Sequence, residues 1–307
     1  MQVKPVSPRG YCHGVVSAIK TVREIAKDDT LPRPIYILGM LVHNKKIIED
    51  IEALGLHTLD DRHKSRLELI ETIDKGTIVF TAHGVSDTIY QKASAKNLTI
   101  IDTTCVDVKQ SQNTIKTYLK NGYDILFIGK QWHPESQTVK DYSPRVHIIE
   151  KSDDIDTLAM TSEKVALTNQ TTMSLYDIHT LAKKAEKKYP NLKVIEEICD
   201  ATRLRQRAVM HLPQDVDHLF VVGDQRSNNS QKLKEVAVNH GTKASLIETV
   251  EDIDIEHLKT LTTAGVTSGA STPTQVTKEV IHFLKAFDKE DKNTWDHTSK
   301  LTKNLFK

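Results

Sequence analysis

The sequence has few cysteines, few aromatic residues and no long apolar run. Aromatics make up 5% of its 307 residues, and no segment resembles the roughly 18 consecutive apolar residues of a membrane-spanning helix. Its first residues, MQVKPVSPRG, have no signal-type hydrophobic region. The formal net charge is +1, which gives no overall field to attract nucleic acid or an acidic membrane. We therefore expect a cytoplasmic protein that binds neither membranes nor nucleic acid.

Three cysteines are too few for a disulfide scaffold, and their number is odd. An isolated cysteine is most often a buried, inert thiol. The spacing favours another interpretation, because Cys12, Cys105 and Cys199 are 93 and 94 residues apart. Near-equal spacing indicates an internal repeat.

Each cysteine lies between an extended stretch and a helical one. LTIIDTT precedes Cys105, LKVIEEI precedes Cys199, and the weaker QVKPVSPRGY precedes Cys12. After Cys12, apolar residues recur at helical spacing, and a similar pattern after Cys105 predicts a helix that ends at Asn121 and Gly122.

Two further features recur downstream of each cysteine. PIYILG, YDILFIG and DHLFVVG are typical of short buried strands, and polar loops follow their terminal glycines. Later, GTIVFTAHGVS, VALTNQTTMS and TTAGVTSGAST each join an apolar strand to a cluster of small, hydroxyl or amide residues. Strand–helix alternation favours parallel sheets, whose ligand loops follow the carboxyl ends of the strands.

We predict an α/β protein of three similar domains in a pseudo-threefold trefoil, with their loops converging on one cavity. Three separate domains with no shared site are the alternative. The predicted domains are 13–105, 106–199, and 200–285 completed by 1–12. The tail, 286–307, is predicted to be disordered or to be a strap docked by Trp295 and Phe306.

Three converging thiolates could hold zinc or an iron–sulfur cluster. A zinc site usually recruits a fourth ligand, often from a C-x-x-C pair, and the sequence has no such pair. A [4Fe–4S] cluster held by three cysteines keeps one iron without a protein ligand, which could act as a Lewis acid. The spacing alone leaves this cluster and structural cysteines equally open.

The polar loops are rich in hydrogen-bond donors. His43, His83 and His133 follow predicted strands, and Glu135 lies beside His133 in WHPES. Such a set suits a phosphate or diphosphate, and a carboxyl in a desolvated pocket could donate a proton. Ordinary turn chemistry is the alternative for the hydroxyl and amide members of the set, Thr171, Thr172, Ser227, Asn228, Asn229, Ser230 and Ser271.

Nine motifs together resemble one known family. In order they are PRGYCHGV, LVHN, TAHGVS, DTTC, HPE, NQTTMS, the IC of EEICDAT, SNNS and GAST. Their pattern is similar to that of the 4-hydroxy-3-methylbut-2-enyl diphosphate reductases, which complete the methylerythritol phosphate route to isoprenoid precursors. The resemblance covers roughly residues 1–285.

This resemblance implies a trefoil around one [4Fe–4S] cluster and reductive dehydroxylation of the allylic diphosphate to isopentenyl and dimethylallyl diphosphates. It implies that Glu135 delivers protons, that Thr171 helps to place the substrate hydroxyl, and that ferredoxin or flavodoxin supplies electrons. The implied cluster ligands are Cys12, Cys105 and Cys199. The implied diphosphate ligands are His43, His83, His133, Ser227, Asn228, Asn229 and Ser271.

Four positions depart from the family pattern. His13, Asp107, Lys130 and Asn228 stand where the pattern usually has other residues.

Three other functions remain open. A cluster-bearing hydro-lyase would need no electron donor, and a redox-sensing iron–sulfur protein would not bind a diphosphate specifically. A metal-free α/β protein would contain neither iron nor sulfide.

Overall fold

The structure is a computed structural model that describes residues 1–61, 63–160 and 162–301, without the side chain of Lys45. The chain divides into two compact units. The first unit comprises Met1–His13, His43–Asp50 and the described residues from Asp200 onward. The second unit comprises Gly14–Val42 and Ile51–Cys199.

Strands and helices alternate through both units. The strands of the described residues are β1 (Gln2–Pro5), β2 (Ile35–Leu38), β3 (His57–Leu59), β4 (Thr77–Phe80), β5 (Thr99–Asp102), β6 (Asp124–Ile128), β7 (Val146–Ile149), β8 (Val165–Asn169), β9 (Lys193–Val194), β10 (His218–Val222), β11 (Lys243–Ile247) and β12 (Thr263–Ser268). Their helices are α1 (His13–Ala26), α2 (Lys45–Ala53), α3 (Arg66–Glu71), α4 (Asp87–Ala95), α5 (Val106–Lys120), α6 (Pro134–Lys140), α7 (Ser152–Thr157), α8 (Leu175–Lys188), α9 (Asp200–Met210), α10 (Asn228–Asn239), α11 (Ile255–Leu258) and α12 (Thr274–Ala286).

The strands form three four-stranded parallel sheets with one shared topology. The second unit holds the sheets β3-β2-β4-β5 and β7-β6-β8-β9. The first unit holds β11-β10-β12-β1. In each sheet the strand that comes first in the repeat pairs with both the second and the third, and the fourth strand lies at the edge. In the first unit β1, from the start of the chain, takes that fourth place.

This strand order separates the loops that follow the two central strands. The connections from the first and third strands leave the sheet in opposite directions, which opens a crevice at their carboxyl ends. The central strands are fully buried in β4, β6, β8, β10 and β12, because helices cover both faces of a parallel sheet. Polar residues that follow these strands are therefore fixed at the mouth of each crevice.

Local sequence accounts for most element boundaries. In α1, Val15, Ala18, Ile19 and Val22 form one buried face, as their helical spacing predicts. Helix α5 ends at Lys120, and Gly122 follows with a φ of +86°, as the Asn-Gly pair predicts.

The strand predicted before Cys199 is shorter than its sequence suggests. Only Lys193 and Val194 pair with β8. Beyond them the N–H of Glu197 donates to the side-chain oxygen of Asn169 at 3.1 Å. A side chain thus replaces the backbone acceptor that would have continued the ladder.

The tail packs against the first unit as far as residue 301. Trp295 lies against the apolar core that includes Val280 and Leu284. Its Nε1–H donates to the carbonyl of Asp288 at 2.8 Å, and the Lys259 ammonium lies 3.8 Å from the ring centroid. Phe306, the other predicted anchor, lies outside the described residues.

The predicted fold class, an α/β protein built from three similar modules, is confirmed in that each module has its own four-stranded parallel sheet. The domain boundaries at residues 105 and 199 stay a prediction. Among the described residues, no helix combines the length and the apolar character needed to cross a membrane.

Gly76 is the position where the second unit depends most on glycine. Its φ is +111°, and a Cβ there would lie 2.2 Å from the carbonyl oxygen of Pro34. That oxygen accepts the N–H of Thr77 at 3.0 Å and so aligns β4. Gly122 also has a positive φ, but a Cβ there would meet nothing within 4 Å.

We expect Gly76→Ala to lower the free energy of unfolding by more than about 3 kcal/mol, because strain and a backbone clash add. Gly122→Ala should cost only about 1–2 kcal/mol, the left-handed penalty alone. Urea denaturation of both variants measures the difference. Equal losses would contradict the close approach of Gly76 to Pro34.

Candidate active site

The three cysteines occupy equivalent local positions. Each immediately precedes a helix, α1, α5 or α9, each is half-buried, and none forms a disulfide. The N–H of each donates to a carbonyl in the loop after the third strand of a sheet. The acceptors are Ala270 for Cys12 at 3.0 Å, Ala82 for Cys105 at 3.0 Å, and Thr171 for Cys199 at 3.2 Å. The 93- and 94-residue spacing therefore reflects a true structural repeat.

The Cys105 sulfur has room because residue 14 is glycine. A Cβ on Gly14 would lie 2.6 Å from this sulfur, closer than two such atoms can approach. The Cys105 Sγ also lies 3.9 Å from Oδ2 of Asp107. Thiol and carboxylate groups are both potential metal ligands.

Glu135 is buried at the start of α6, after the first strand of its sheet. Its Oε2 accepts the backbone N–H of Thr171 at 2.9 Å, and its Oε1 is bonded to the Thr171 hydroxyl, also at 2.9 Å. Burial disfavours the carboxylate and raises the pKa of Glu135 to about 7, although the two bonds from Thr171 oppose this shift. At neutral pH a large fraction of Glu135 is therefore a neutral acid.

His133 caps α6 and is oriented by its backbone. Its Nδ1 accepts the N–H of Glu135 at 3.2 Å. Neutral His133 therefore carries its proton on Nε2. The rings of His83 and His133 are 5.4 Å apart between centroids, nearly perpendicular.

His83 follows the third strand of the other sheet in the second unit. Its Nδ1 lies 3.4 Å from the Thr81 hydroxyl. Thr81 in turn accepts a hydrogen bond from Nη2 of Arg66 at 3.1 Å. Burial of this guanidinium lowers the pKa of Arg66 to about 10, which Asp60 partly opposes, so the group is charged at neutral pH.

The first unit presents a second set of polar residues, all at the ends of β10 and β12 or in Met1–His13 and His43–Asp50. Ser227 caps α10, and its Oγ accepts the N–H of Ser230 at 3.3 Å. The Ser271 hydroxyl donates to the carbonyl of His43 at 3.1 Å. Ser227, Asn228 and Asn229 thus lie at the amino-terminal end of a twelve-residue helix, where anions are stabilised.

The side-chain amide of Asn229 is oriented by a hydrogen bond to its oxygen. Its Oδ1 accepts the Thr202 hydroxyl at 3.4 Å. Its Nδ2 is buried and has no hydrogen-bond partner among the residues that the structure describes. A buried amide N–H without a partner is costly, and a bound anion would satisfy it.

The predicted site residues thus fall into two sets. Within the second unit, hydrogen bonds and ring contacts link Glu135 to Thr171, Thr171 to Cys199, Glu135 to His133, and His133 to His83. Cys105 also belongs to this set, because its N–H donates to the carbonyl of Ala82, the residue before His83. The first unit holds the other set, Cys12, His43, Ser227, Asn228, Asn229 and Ser271.

Sequence reasoning missed Arg66, which bonds Thr81 beside His83, and Thr202, which bonds Asn229. Arg66 lies in a charged stretch, DRHKSRLE, that is typical of a solvated helix start. Thr202 comes three residues after Cys199, and its helical position carries no signal of a contact with α10.

Burial raises the pKa of Glu135 in the folded chain, so this residue makes the free energy of unfolding depend on pH. Below about pH 4.5 its carboxyl is neutral in both folded and unfolded chains; between about 4.5 and 7 it ionises only in the unfolded chain. The free energy of unfolding should therefore fall by about 3 kcal/mol as the pH rises through this window, relative to Glu135→Gln. Urea denaturation of both proteins at matched pH values measures the difference. A difference that stays constant with pH would mean an ordinary carboxyl.

Known proteins resemble this chain over nearly its whole length. The sequence model of the family described as LytB protein matches residues 3–285. A 4-hydroxy-3-methylbut-2-enyl diphosphate reductase of Geobacillus sp. (strain WCH70) is 47% identical over 303 residues, 98% of this chain and 96% of the relative. The enzyme of that name from Bacillus subtilis (strain 168) is 45% identical over 309 residues, 99% of this chain and 98% of the relative.

A solved structure extends the likeness to the fold. The E-1-hydroxy-2-methyl-but-2-enyl-4-diphosphate reductase of Plasmodium falciparum matches with a TM-score of 0.86 and 31% identity, covering 94% of this chain and 89% of that one. The family match, the relatives that align over nearly the whole chain and the solved structure all indicate the same family. The chain belongs to the LytB protein family.

Proposed function

We propose that this protein reduces (E)-4-hydroxy-3-methylbut-2-enyl diphosphate to isopentenyl and dimethylallyl diphosphates. The family and the names of the near-full-length relatives support this reaction. The geometric observation that carries it is the buried Glu135 carboxyl, bonded to Thr171 and titrating near neutrality. Such a group can deliver a proton to a poor leaving group such as hydroxide.

Cys12, Cys105 and Cys199 are the proposed ligands of one [4Fe–4S] cluster. The donor set fits this group, because each thiol precedes a helix and has the same backbone anchor. The helix N-termini stabilise anionic sulfur, and Gly14 leaves space beside the Cys105 sulfur. When bound, the cluster would supply electrons and one Lewis-acidic iron without a cysteine ligand.

Neutral donors bind the diphosphate in this proposal. Nε2–H of His133 and Nδ2–H of Asn229 are directed by their own hydrogen bonds. The start of α10 adds backbone N–H groups and the positive end of its dipole. The full proposed set is His43, His83, His133, Ser227, Asn228, Asn229 and Ser271.

Glu135 and Thr171 move the proton. The N–H of Thr171 can only donate, so Oε2 of Glu135 remains an acceptor and the acidic proton resides on Oε1. Oε1 lies 2.9 Å from the Thr171 hydroxyl. Protonated Glu135 can therefore donate to Thr171, whose own hydroxyl proton is then free for the substrate oxygen. Two electrons and two protons enter, and water leaves; the substrate diphosphate is the proposed source of the second proton.

The electron donor is proposed to be a ferredoxin or a flavodoxin in the cytoplasm. The reaction needs two electrons, and an iron–sulfur cluster accepts them one at a time from a low-potential carrier. The family and its relatives support a small-molecule substrate. We propose no nucleic acid or membrane partner, because the net charge of +1 gives no overall attraction to either.

The reaction is tested by anaerobic incubation of the purified protein with the diphosphate substrate and a reduced low-potential dye, followed by product analysis. Both isoprenoid diphosphates should form, and only when reductant is present. Turnover without reductant, with a dehydrated product, would instead indicate a hydro-lyase. A protein with an intact cluster and no turnover would contradict the proposed reaction.

Replacing Glu135 by Gln should lower kcat by about 100- to 10,000-fold, the usual contribution of a positioned acid. Glutamine keeps the shape and can still bond Thr171, so the iron content should not change. Glu256→Gln, at an exposed carboxylate paired with Lys259, is the control and should turn over normally. A Glu135→Gln enzyme with more than half of wild-type kcat would exclude Glu135 as the acid.

Cys105→Ser should lose the cluster, because a serine oxygen is a weak ligand for iron and one of three anchors is gone. Iron and acid-labile sulfide are measured on anaerobically purified protein, which should be brown for the wild type. A colourless, iron-free wild type with full activity would contradict the cluster.

A further inference from the structure

Arg66 is a partly buried cation whose guanidinium contacts the turn that bears His83. It lies at the first position of α3, and its guanidinium reaches the carboxyl ends of the central strands β2 and β4. At β2, a Cβ on Gly39 would lie 3.3 Å from Nη2 of Arg66. At β4, Nη1 donates to the carbonyl of Gly84 at 2.5 Å and Nη2 to the Thr81 hydroxyl at 3.1 Å. The two nitrogens thus bracket the turn that carries His83.

The Thr81 hydroxyl lies between the Arg66 guanidinium and the imidazole of His83 and contacts both. Thr81 is fully buried, and one lone pair of its oxygen is occupied by Arg66. Its hydroxyl proton has one acceptor in reach among the described residues, Nδ1 of His83 at 3.4 Å. A buried hydroxyl proton is rarely left without an acceptor. Thr81 therefore donates, and neutral His83 carries its own proton on Nε2.

His83 and His133 then share one tautomer, although different groups impose it. The backbone N–H of Glu135 fixes the imidazole of His133, whereas the Arg66–Thr81 pair fixes that of His83. The rings are 5.4 Å apart between centroids. Two Nε2–H donors in the same unit suit an anionic ligand, and the wrong tautomer at either ring would present a lone pair to it.

We propose that Arg66 is a positioning residue that, through Thr81, holds His83 with Nε2–H directed to the substrate diphosphate. This inference rests on the proposed function of the same site. Arg66 touches the His83 turn and the Thr81 hydroxyl; its contribution to the reaction is to orient a binding group.

A purely structural arginine is the alternative, and the chain offers a matched control. Arg145 is also part-buried, and its Nη2 donates to the carbonyl of Leu119 at 2.6 Å. Leu119 lies in the last turn of α5, at the end of that helix opposite Cys105. Arg145→Met removes a comparable charge-assisted bond without touching the His83 turn.

Steady-state kinetics of the cluster-loaded enzyme separate the two roles. Arg66→Met and Thr81→Val should each raise KM for the diphosphate substrate by about tenfold, the effect of losing one directed hydrogen bond. Their kcat should stay within about twofold, because binding before reaction is what weakens. Thr81→Ser, which keeps the hydroxyl, and Arg145→Met should keep KM within about twofold.

The tautomer gives a second readout that does not depend on turnover. Histidine ¹⁵N spectra, with the His83 signals identified from His83→Gln, should show the Nε2–H form in the wild type. Thr81→Val should shift His83 toward the Nδ1–H form and leave His133 unchanged.

Three results would overturn the inference in an active enzyme. They are an unchanged KM in Arg66→Met, equal rises in KM in Arg66→Met and Arg145→Met, or an Nδ1–H form of His83 in the wild type. A wild type with an intact cluster and no reductase activity would instead overturn the proposed function, and the His83 tautomer would still report whether Arg66 and Thr81 orient that ring.

Discussion

The arrangement of the candidate site depends on parallel pairing between the first and third strands of each sheet. That pairing brings two loops from distant parts of the sequence to the same edge, and the strand order leaves a crevice between them. Glu135 follows β6 and Thr171 follows β8, so the bond between them spans this crevice. Loss of the β6–β8 register would separate the acid from the residue that orients it.

The repeat also explains how one fold provides different chemistry in different sheets. Glu135 lies six residues after Gly129, and Asn229 lies six residues after Gly223. Both glycines admit a serine from the following helix, since a Cβ would lie 2.6 Å from Ser136 Oγ and 2.3 Å from Ser230 Oγ. The same position therefore holds a buried acid in one sheet and a buried amide donor in another. The proposed proton donor and the proposed anion ligand would thus share one backbone framework.

Much of the fold was predictable because its signals are local. The β-branched runs, the Asn-Gly helix end and the cysteine spacing predict the strands, α5 and the threefold repeat. The position of β1 as fourth strand of the last sheet follows from that repeat. The early end of β9 was not predictable, because it depends on a side-chain acceptor, Asn169, from another strand.

The site was predictable in its residue types and less so in its energetics. The motifs place Glu135 and the histidines after strands, but the pKa of Glu135 depends on burial by residues distant in sequence. The roles of Arg66 and Thr202 could not be predicted from the sequence, because only tertiary contacts bring these residues to the neighbourhood of His83 and Asn229. Orientation of a site residue by a buried partner leaves no periodic trace in the sequence.

The proposed role of Glu135 requires a carboxyl that keeps its proton near neutral pH. Infrared difference spectroscopy measures this directly, since a protonated carboxyl has a carbonyl band that a carboxylate lacks, and Glu135→Gln identifies the band. We expect a band that disappears with a pKa of about 7. A band that has already disappeared above about pH 5, as for an ordinary glutamate, would contradict it.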